Sequence, residues 1–233
     1  MFLSRLLLNP RSSDVRRDLA DCYQLHRTVM KGFPDLPDAA DVRARLGVLY
    51  RLDTDRRSGA ITLIVQSRAE PDWSRLPRDY MLGAPQTKPI DSALASIADG
   101  VQLAFRLRAN PTRRISKNNP DEKEKRWLGR RVNLREEEDW LQWLGRKAGQ
   151  GGFRLVAVQA RDDVPAVQAH DEGKLKGQRM GPADRKRPLT FASVLFDGRL
   201  EVTDAERFRQ TVCEGIGTGK AFGFGLLSVA PAR

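Results

Sequence analysis

Hydrophobic and polar positions at the start of the chain follow the pattern of a strand and then of a helix. Residues 2–9 alternate as in a half-buried strand, and Pro10 ends this run. Polar residues at 12–14 then offer N-cap side chains, and the apolar period lengthens to that of a helix from Val15 to Lys31. We therefore predict a first strand at 2–9 and one helix at 15–31.

The next segments add three strands and a short helix. Apolar runs at 46–52 and 61–65 are typical of strands, and the polar stretch at 55–59 between them indicates a hairpin. The segment from 73 to 82 fits a short helix followed by a last edge strand. The predicted order of this half is β-α-β-β-α-β.

The same order recurs in the second half. Its predicted elements are a strand at 101–107, a helix at 134–147, strands at 153–158 and 189–202 with a turn at 196–199, a helix from Thr203 or Asp204 to Glu214, and a strand at 224–229. A polar segment at 161–188 is predicted to be a hairpin or a mobile loop. Two such units predict an α+β fold with two tandem ferredoxin-like domains, the plan of RNA-recognition motifs, at 1–95 and 99–233.

Charge is concentrated in the second half. The 233 residues include 41 Lys and Arg against 30 Asp and Glu, a net charge of +11, and 106–135 alone hold eleven cations against three acids. This concentration indicates a polyanionic partner, nucleic acid first and an acidic membrane surface second. No apolar run approaches the roughly 20 residues of a membrane span. We expect a cytoplasmic protein without a membrane partner, in which Cys22 and Cys213 are small buried hydrophobes.

One side of the predicted first helix gathers groups that can act on a proton or a phosphate. His26 is one of 2 histidines, and imidazole is the side chain whose ordinary pKa lies near neutrality. On a wheel of about 100° per residue, Tyr23 lies between His26 and Arg27. Lys31 follows on the same side, which we expect to face solvent or a ligand, and the two cations should lower the pKa of the imidazole. The alternative is an ordinary surface helix with an incidental histidine.

Glycine recurs at near-alternate positions over 215–225 and indicates a backbone that approaches a ligand. The stretch is not a Walker A loop, because Glu214 stands where that motif needs its first glycine and Ala221 where it needs Ser or Thr. The residues that we expect to meet phosphate oxygens are Gly217, Gly219 and Lys220. The alternative is a tight connection from a helix to a strand.

Metal and nucleophile signatures are missing from the sequence. No acidic cluster recurs with ligand spacing, and His170 stands alone in a polar segment, so we predict neither a metal site nor a cofactor. The helical spacing of Trp140 and Trp143 favours packing, whereas Trp127 is the tryptophan least explained by a core.

Several stretches, spread over nearly the whole chain, carry a family resemblance. They are Leu8-Asn9-Pro10, Arg16-Arg17-Asp18-Leu19 followed by Tyr23-x-x-His26-Arg27, Glu70-Pro71-Asp72-Trp73, residues 105–111, residues 191–202 and the glycine-rich tail through Pro231. In combination they resemble the CasE family, the CRISPR-associated endoribonucleases of the type I-E system. The resemblance implies tandem ferredoxin-like domains, metal-independent cleavage of precursor CRISPR RNA at the base of a repeat hairpin, and membership of the Cascade complex. It also implies that His26 and Tyr23 are catalytic and that Lys31 is the family's helix lysine.

Both lines of argument indicate RNA as the substrate. A ribose 2′-hydroxyl that attacks the adjacent phosphorus must lose its proton, and histidine suits this transfer. Tyr23 can orient the hydroxyl or share proton transfer, and Arg27 or Lys31 can stabilise the developing charge, so that the products carry a 2′,3′-cyclic phosphate and a 5′-hydroxyl. The predicted RNA contacts are Arg27, Arg106, Arg108, Arg113, Arg114, Lys117, Lys174, Lys176, Arg185, Arg187, Gly217, Gly219 and Lys220. The alternative is a non-catalytic module that binds an RNA hairpin.

Overall fold

The computed structural model describes residues 1–36, 41–115, 128–158, 161–180 and 186–232. Helices and antiparallel sheets alternate along the chain, as expected for an α+β fold. Two larger sheets each cover a hydrophobic core of their own, and two short ribbons lie beside them.

The first half builds a four-stranded sheet. Its strands are β1 (Phe2–Leu8), β2 (Leu49–Thr54), β3 (Ile61–Ser67) and β4 (Gln86–Pro89). They lie in the order β2-β3-β1-β4, and all neighbours are antiparallel. The predicted hairpin at 55–59 is confirmed, because the Gly59 N–H donates to the Asp55 carbonyl at 2.8 Å.

The predicted single helix at 15–31 is wrong, because Asp21 divides it. The helices of the first half are α1 (Ser13–Ala20), α2 (Cys22–Lys31), α3 (Val42–Arg45) and α4 (Asp91–Ala95), with a short 3-10 helix at Trp73–Arg75. Asp21 has an extended backbone, with φ −141° and ψ 107°, and its carboxylate accepts the Tyr23 N–H as the N-cap of α2. An Asp side chain competes for backbone N–H groups in this way and so favours a new helix start over helix continuation.

The second half builds a five-stranded sheet and two ribbons. Its strands are β5 (Gln102–Ala109), β6 (Thr112–Arg114), β7 (Arg131–Asn133), β8 (Phe153–Leu155), β9 (Ala157–Val158), β10 (Arg161–Pro165), β11 (Val167–Met180), β12 (Lys186–Val202) and β13 (Leu227–Pro231). The sheet order is β11-β12-β5-β13, with β8 also pairing with β12, while β6 pairs with β7 and β9 with β10. The predicted hairpin in the polar segment is confirmed by the long pairing of β11 with β12.

The predicted turn at 196–199 is wrong, because these residues lie inside β12. Gly198 pairs with Phe105 on one side and with Val167 on the other. A Cβ at this glycine would lie 2.7 Å from the Ala166 carbonyl oxygen. The glycine therefore permits a close approach between neighbouring backbones, a role that an Asp-Gly pair in a sequence does not distinguish from a turn.

Two remaining helices close the second core. They are α5 (Glu137–Gln150) and α6 (Ala205–Glu214), and a 3-10 helix follows at Lys220–Phe222. Trp140, Trp143 and Leu144 are buried on one stripe of α5, which confirms the predicted packing role of these tryptophans. Trp127 lies outside the described residues. Leu94 of α4, which the sequence places in the first domain, packs in this second core.

Buried hydrogen bonds join the two halves. The Tyr50 hydroxyl of β2 donates to the Ala221 carbonyl at 2.7 Å. The Gln66 amide of β3 donates to the Val212 carbonyl of α6 at 2.8 Å. These bonds hold the glycine-rich stretch after α6 against the first half, where it approaches α2.

None of the helices in the described ranges is both long enough and apolar enough to span a membrane. Within the same ranges no group of three or more His, Cys, Asp or Glu side chains is placed to hold a metal ion. Both thiols are free, Cys22 is buried as predicted, and Cys213 is half-buried.

Candidate functional site

The start of α2 is held by the long hairpin of the second half. The Asp21 carboxylate, which caps α2, also accepts the backbone N–H of Gln178 in β11 at 3.2 Å. At the neighbouring Gly177, a Cβ would lie 2.7 Å from the Cys22 sulfur. Because only glycine permits this approach, β11 lies directly against the first turn of α2.

His26 is half-buried on the side of the helix that the sequence predicted to face solvent or a ligand. Its ring meets Phe222 edge to face, with centroids 6.0 Å apart and an interplanar angle of 66°. Phe222 belongs to the 3-10 helix that the Tyr50 hydroxyl holds at Ala221. Nδ1 of His26 is buried and has no hydrogen-bond partner among the described residues, so Nε2 is the ring nitrogen that we expect to meet a substrate.

Burial and a nearby guanidinium together lower the pKa of His26. Burial is the larger cause, the positive charge of Arg43 on α3 adds to it, and the carboxylate of Asp41 opposes both. The predicted direction is confirmed, but the predicted causes, Arg27 and Lys31, are not those that act. A lowered pKa keeps the imidazole neutral at neutral pH and able to accept a proton.

Arg43 is a site residue that the sequence interpretation missed. Only 15% of its side chain is exposed, one of its amino groups donates to the Val48 carbonyl at 3.1 Å, and its Nε lies 3.8 Å from the Asp41 carboxylate. No motif or periodicity marks it, because its approach to His26 results from tertiary packing of α3. Its charge also lowers the pKa of Lys220, so Arg43 lies near both groups.

The predicted residues of α2 do not all converge. Tyr23 is half-buried and lies three residues before His26, so that the two side chains are neighbours on the helix surface. Arg27 and Lys31 are exposed. Lys31 lies about 140° around the helix axis from His26. Because Lys31 lies in the last turn of α2, its positive charge also interacts favourably with the helix dipole, and this gives the residue a structural role.

Lys220 is a predicted RNA contact that the structure places in the same 3-10 helix as a residue touching the His26 ring. It is half-buried and shares its three-residue 3-10 helix with Phe222. Burial lowers the pKa of Lys220, and the positive charges of Arg43 and Lys147 lower it further. The residue therefore lies close to the Phe222 side of the imidazole, and its contact with phosphate stays a prediction.

The two predicted glycines play different parts in the loop. Both have positive φ, 83° at Gly217 and 77° at Gly219, where a side chain is strained. A Cβ at Gly219 would lie 2.9 Å from the Phe224 ring, which belongs to the aromatic cluster behind His26. Gly217 lies on the ring of Trp143 and lines a cavity.

The hairpin of β11 and β12 presents cations on two faces. Side chains alternate along a strand, so Arg179 shares the α2-facing side with Gly177, and Arg187 lies directly opposite Arg179. Lys174 and Lys176 are exposed on the other face. Two like charges in directly opposed positions destabilise a hairpin unless an anion binds them. The sequence interpretation predicted Arg187 but not Arg179, because a charge run does not show which residues share a face.

Other predicted RNA contacts are engaged within the chain. Arg106 forms a bidentate ion pair with Asp197, at 2.6 and 3.1 Å. Arg108 does the same with Glu172, at 2.6 and 2.6 Å. A phosphate would have to compete with these carboxylates, which favours a structural role for both arginines.

Two of the remaining predicted contacts lie on β6. Arg113 and Arg114 are exposed on this strand, and Arg114 donates to the Gly129 carbonyl at 3.0 Å. Lys117 and Arg185 lie outside the described residues.

A family model described as "CRISPR associated protein" matches residues 1–231 of the chain. The chain belongs to this family. Among curated members, the CRISPR-associated endoribonuclease Cse3 of Thermus thermophilus is 39% identical over 232 residues, which are 99% of this chain and 100% of that protein. The CRISPR system Cascade subunit CasE of Escherichia coli is 30% identical, with 99% and 100% coverage.

Solved structures of CRISPR-associated proteins match the chain over its length. A structure of the CRISPR endoribonuclease Cse3 bound to a 19-nucleotide RNA matches with a TM-score of 0.80 and 38% identity, covering 99% of this chain and 100% of that one. The crystal structure of Cas6e from Escherichia coli matches with a TM-score of 0.65 and 26% identity, covering 100% of both chains. This CRISPR-associated chain therefore shares its whole fold with them.

Proposed function

We propose that the chain is an endoribonuclease that binds the repeat hairpin of precursor CRISPR RNA and cleaves it at the base without a metal ion. The observation that carries the proposal is His26, a half-buried imidazole whose pKa is lowered and whose Nδ1 is buried. Relatives named endoribonuclease Cse3 and Cascade subunit CasE support the substrate class. The CasE-like motif Tyr23-x-x-His26 lies on the first two turns of α2.

In the proposed mechanism, neutral His26 acts first. Its Nε2 accepts the proton of a ribose 2′-hydroxyl, and the oxygen attacks the adjacent phosphorus. Arg43 and Lys220 supply positive charge where the phosphorane develops its extra negative charge. The bond to the 5′-oxygen then breaks with proton donation from Tyr23 or solvent, which leaves a 2′,3′-cyclic phosphate and a 5′-hydroxyl. RNA provides the nucleophile itself, so the step needs no metal-bound water.

The proposal extends to assembly and to domain plan. The chain stays with its product in a Cascade-type complex in the cytoplasm, which the CasE relative and a match to a CRISPR RNA-guided surveillance complex support, with 28% identity and a TM-score of 0.65. Each large sheet with its helices is a ferredoxin-like domain, at 1–95 and 99–233. The strand orders support this, because in both sheets the first strand lies between the last strand and the one before it.

The deciding experiment separates cleavage from binding. The chain is incubated in excess chelator with a labelled repeat hairpin, and single-turnover cleavage is measured beside hairpin affinity. We expect His26→Ala to lose cleavage by about 10² to 10⁴ with little change in Kd, because a general base acts only on the transition state. His170→Ala is the matched control, since that histidine is exposed on β11.

Two results would contradict the mechanism. Cleavage of a substrate with a 2′-deoxy nucleotide before the break would exclude attack by the 2′-hydroxyl. Equal losses of affinity and cleavage in His26→Ala would instead make the residue an RNA contact and favour the non-catalytic hairpin-binding module.

A further inference from the structure

A cavity of about 570 Å³ in the second half of the chain is not used by the proposed mechanism, apart from one shared lysine. Its walls come from the second half of α5, from the ribbon of β6 and β7, and from the loop after α6. The charged residues that line it are Arg113, Arg131, Arg146, Lys147 and Lys220, with Glu214 as the single acid. Five cations around one carboxylate make this cavity an anion site by composition.

Two of the cavity cations have no carboxylate partner among the described residues. Arg131 and Arg146 form no ion pair with any residue of the described ranges, in contrast to the bidentate pairs of β5. Lys147 donates to the neutral amide of Gln150 at 3.0 Å, and the Glu214 carboxylate accepts from the neutral amide of Gln210 at 2.9 Å. Cations held near one another without carboxylates cost folding free energy, which a bound polyanion recovers.

The backbone of the glycine-rich loop forms one wall. Gly217 has a φ of 83°, and a Cβ there would lie 3.1 Å from the Trp143 ring. Glycine therefore lets the loop lie on α5 and brings peptide groups at Gly217 and Thr218 to the cavity surface. Successive backbone N–H groups in such a loop are suitable donors for phosphate oxygens.

Lys220 connects the cavity to the candidate active site. It lines the cavity, and it shares a 3-10 helix with Phe222, which contacts the His26 ring. The charges of Arg43 on the site side and Lys147 on the cavity side both lower the pKa of Lys220. A phosphate in the cavity and a phosphate at His26 would therefore lie next to the same three-residue helix.

We propose that this cavity binds backbone phosphates of the single-stranded RNA that flanks the hairpin, next to the scissile phosphate. The proposal rests on the function proposed above and adds Arg131, Arg146 and Lys147 to the RNA-binding residues. A hollow of this size accepts one strand, whereas a duplex carries its phosphates on the outside of a wide cylinder and needs an open surface. Positively charged grooves that follow one backbone are the usual mode of single-strand binding.

The test compares two RNAs and two triple variants. One RNA is the hairpin with its native single-stranded flanks and the other is the hairpin trimmed to its stem, each with a 2′-deoxy nucleotide that prevents cleavage. The cavity variant is R131Q/R146Q/K147Q. The control variant, R56Q/R57Q/R78Q, removes the same charge from exposed arginines elsewhere.

We expect the wild type and the control variant to bind the flanked RNA more tightly than the trimmed RNA, and the cavity variant to lose this difference. Because each phosphate contact of a single strand contributes about 0.7 to the log-log salt slope, the slope for flanked RNA should fall by about two. Affinity for the trimmed hairpin should stay within about twofold of wild type.

Two results would overturn the proposal. If the cavity variant loses the same affinity for both RNAs, the cavity holds the stem. If it still binds the flanked RNA more tightly than the trimmed RNA, as wild type does, the cavity does not hold the flanks. Both results differ from failure of the proposed function, in which the wild type itself neither binds nor cleaves the trimmed hairpin. Thermal unfolding of each variant shows whether the fold is kept.

Discussion

Asp21 binds the backbone N–H of Tyr23 at 2.8 Å and, through the same carboxylate, the backbone N–H of Gln178 at 3.2 Å. The first bond starts the helix that carries His26, and the second belongs to the hairpin that carries the cations of β11. One side chain therefore fixes the candidate catalytic helix relative to a candidate RNA-binding hairpin from the other half of the chain.

Removing this carboxylate should destabilise the protein and slow cleavage. Asp21→Ala loses the N-cap of α2, which costs about 1 kcal/mol, and in addition the bond to β11. Asp21→Asn keeps an acceptor oxygen for the cap and should retain most of the stability. Denaturant unfolding gives the free energies, and a wild-type value for Asp21→Ala would show that neither bond contributes.

A methyl group at Gly177 should separate the hairpin from α2. Its Cβ would lie 2.7 Å from the Cys22 sulfur and 2.8 Å from an Asp21 carboxylate oxygen, so one backbone must move. We expect Gly177→Ala to cost about 1 to 3 kcal/mol, as overpacking does, and to reduce cleavage. Gly83→Ala is the matched control, because nothing lies within 4 Å of a Cβ there. Equal behaviour of the two variants in unfolding and cleavage assays would exclude the close contact.

The sequence predicts the local structure of this chain better than it predicts contacts between segments that are far apart in the sequence. Alternation and capping residues suffice for β1 and α6, including the Asp204 cap of α6. They do not suffice for the helix break at Asp21 or for the course of β12 through Gly198, because in both places another part of the chain supplies the contact. An Asp or Asp-Gly in isolation has the same local preferences in either setting.

The same limit applies to the site. His26 and Tyr23 follow from a helical wheel and a motif, since both lie on one helix. Arg43 comes to the imidazole from α3, and Phe222 comes from the end of the chain. Long-range packing of this kind leaves no period or spacing in the sequence, so the cause of the lowered His26 pKa was not predictable even though its direction was.

The two faces of the β11–β12 hairpin should differ in their effect on RNA. Arg179 and Arg187 share the α2-facing side of the protein hairpin. R179Q/R187Q should therefore weaken binding of the RNA hairpin and lower the log-log salt slope of that binding by about one to two. K174Q/K176Q removes the same charge from the opposite face and should have the smaller effect. Equal slopes in the two variants would show that the RNA does not distinguish the faces.

Repulsion between Arg179 and Arg187 across the two strands should also affect the stability of the free protein. In free protein, R179Q alone relieves a like-charge contact and should raise the free energy of unfolding by a few tenths of a kcal/mol at low salt. The gain should disappear at high salt, where exposed charges are screened. A loss of stability at low salt would mean that the two guanidinium groups are held apart or bridged.

Charge changes on α3 should move the pH dependence of cleavage in opposite directions. The pKa of His26 is lowered first by burial and then by Arg43, and raised by Asp41. Arg43→Gln removes a lowering cause, so the pKa should rise toward its ordinary value, and Asp41→Asn should lower it further. Arg27 on α2 is unchanged in both variants, whereas Arg43→Gln also removes a charge that lowers the pKa of Lys220 on the 3-10 helix.

If neutral His26 accepts the 2′-hydroxyl proton, the single-turnover rate increases as pH rises through its pKa. The midpoint of the profile should then lie at higher pH in Arg43→Gln and at lower pH in Asp41→Asn than in wild type. Arg43→Gln should also lower the plateau rate, because it removes positive charge beside the phosphorane. Arg43→Lys keeps the charge and should keep the midpoint, although it loses the fork geometry of the guanidinium.

An NMR titration of the His26 imidazole in free protein checks the assignment, since its pKa must follow the same order as the kinetic midpoints. Kinetic midpoints that are the same in wild type and both variants would show that the charges of Arg43 and Asp41 do not affect the group that titrates during cleavage. A rate that falls as pH rises through the pKa would show that the imidazolium, and not the neutral ring, is the active form, and His26 would then protonate the leaving 5′-oxygen.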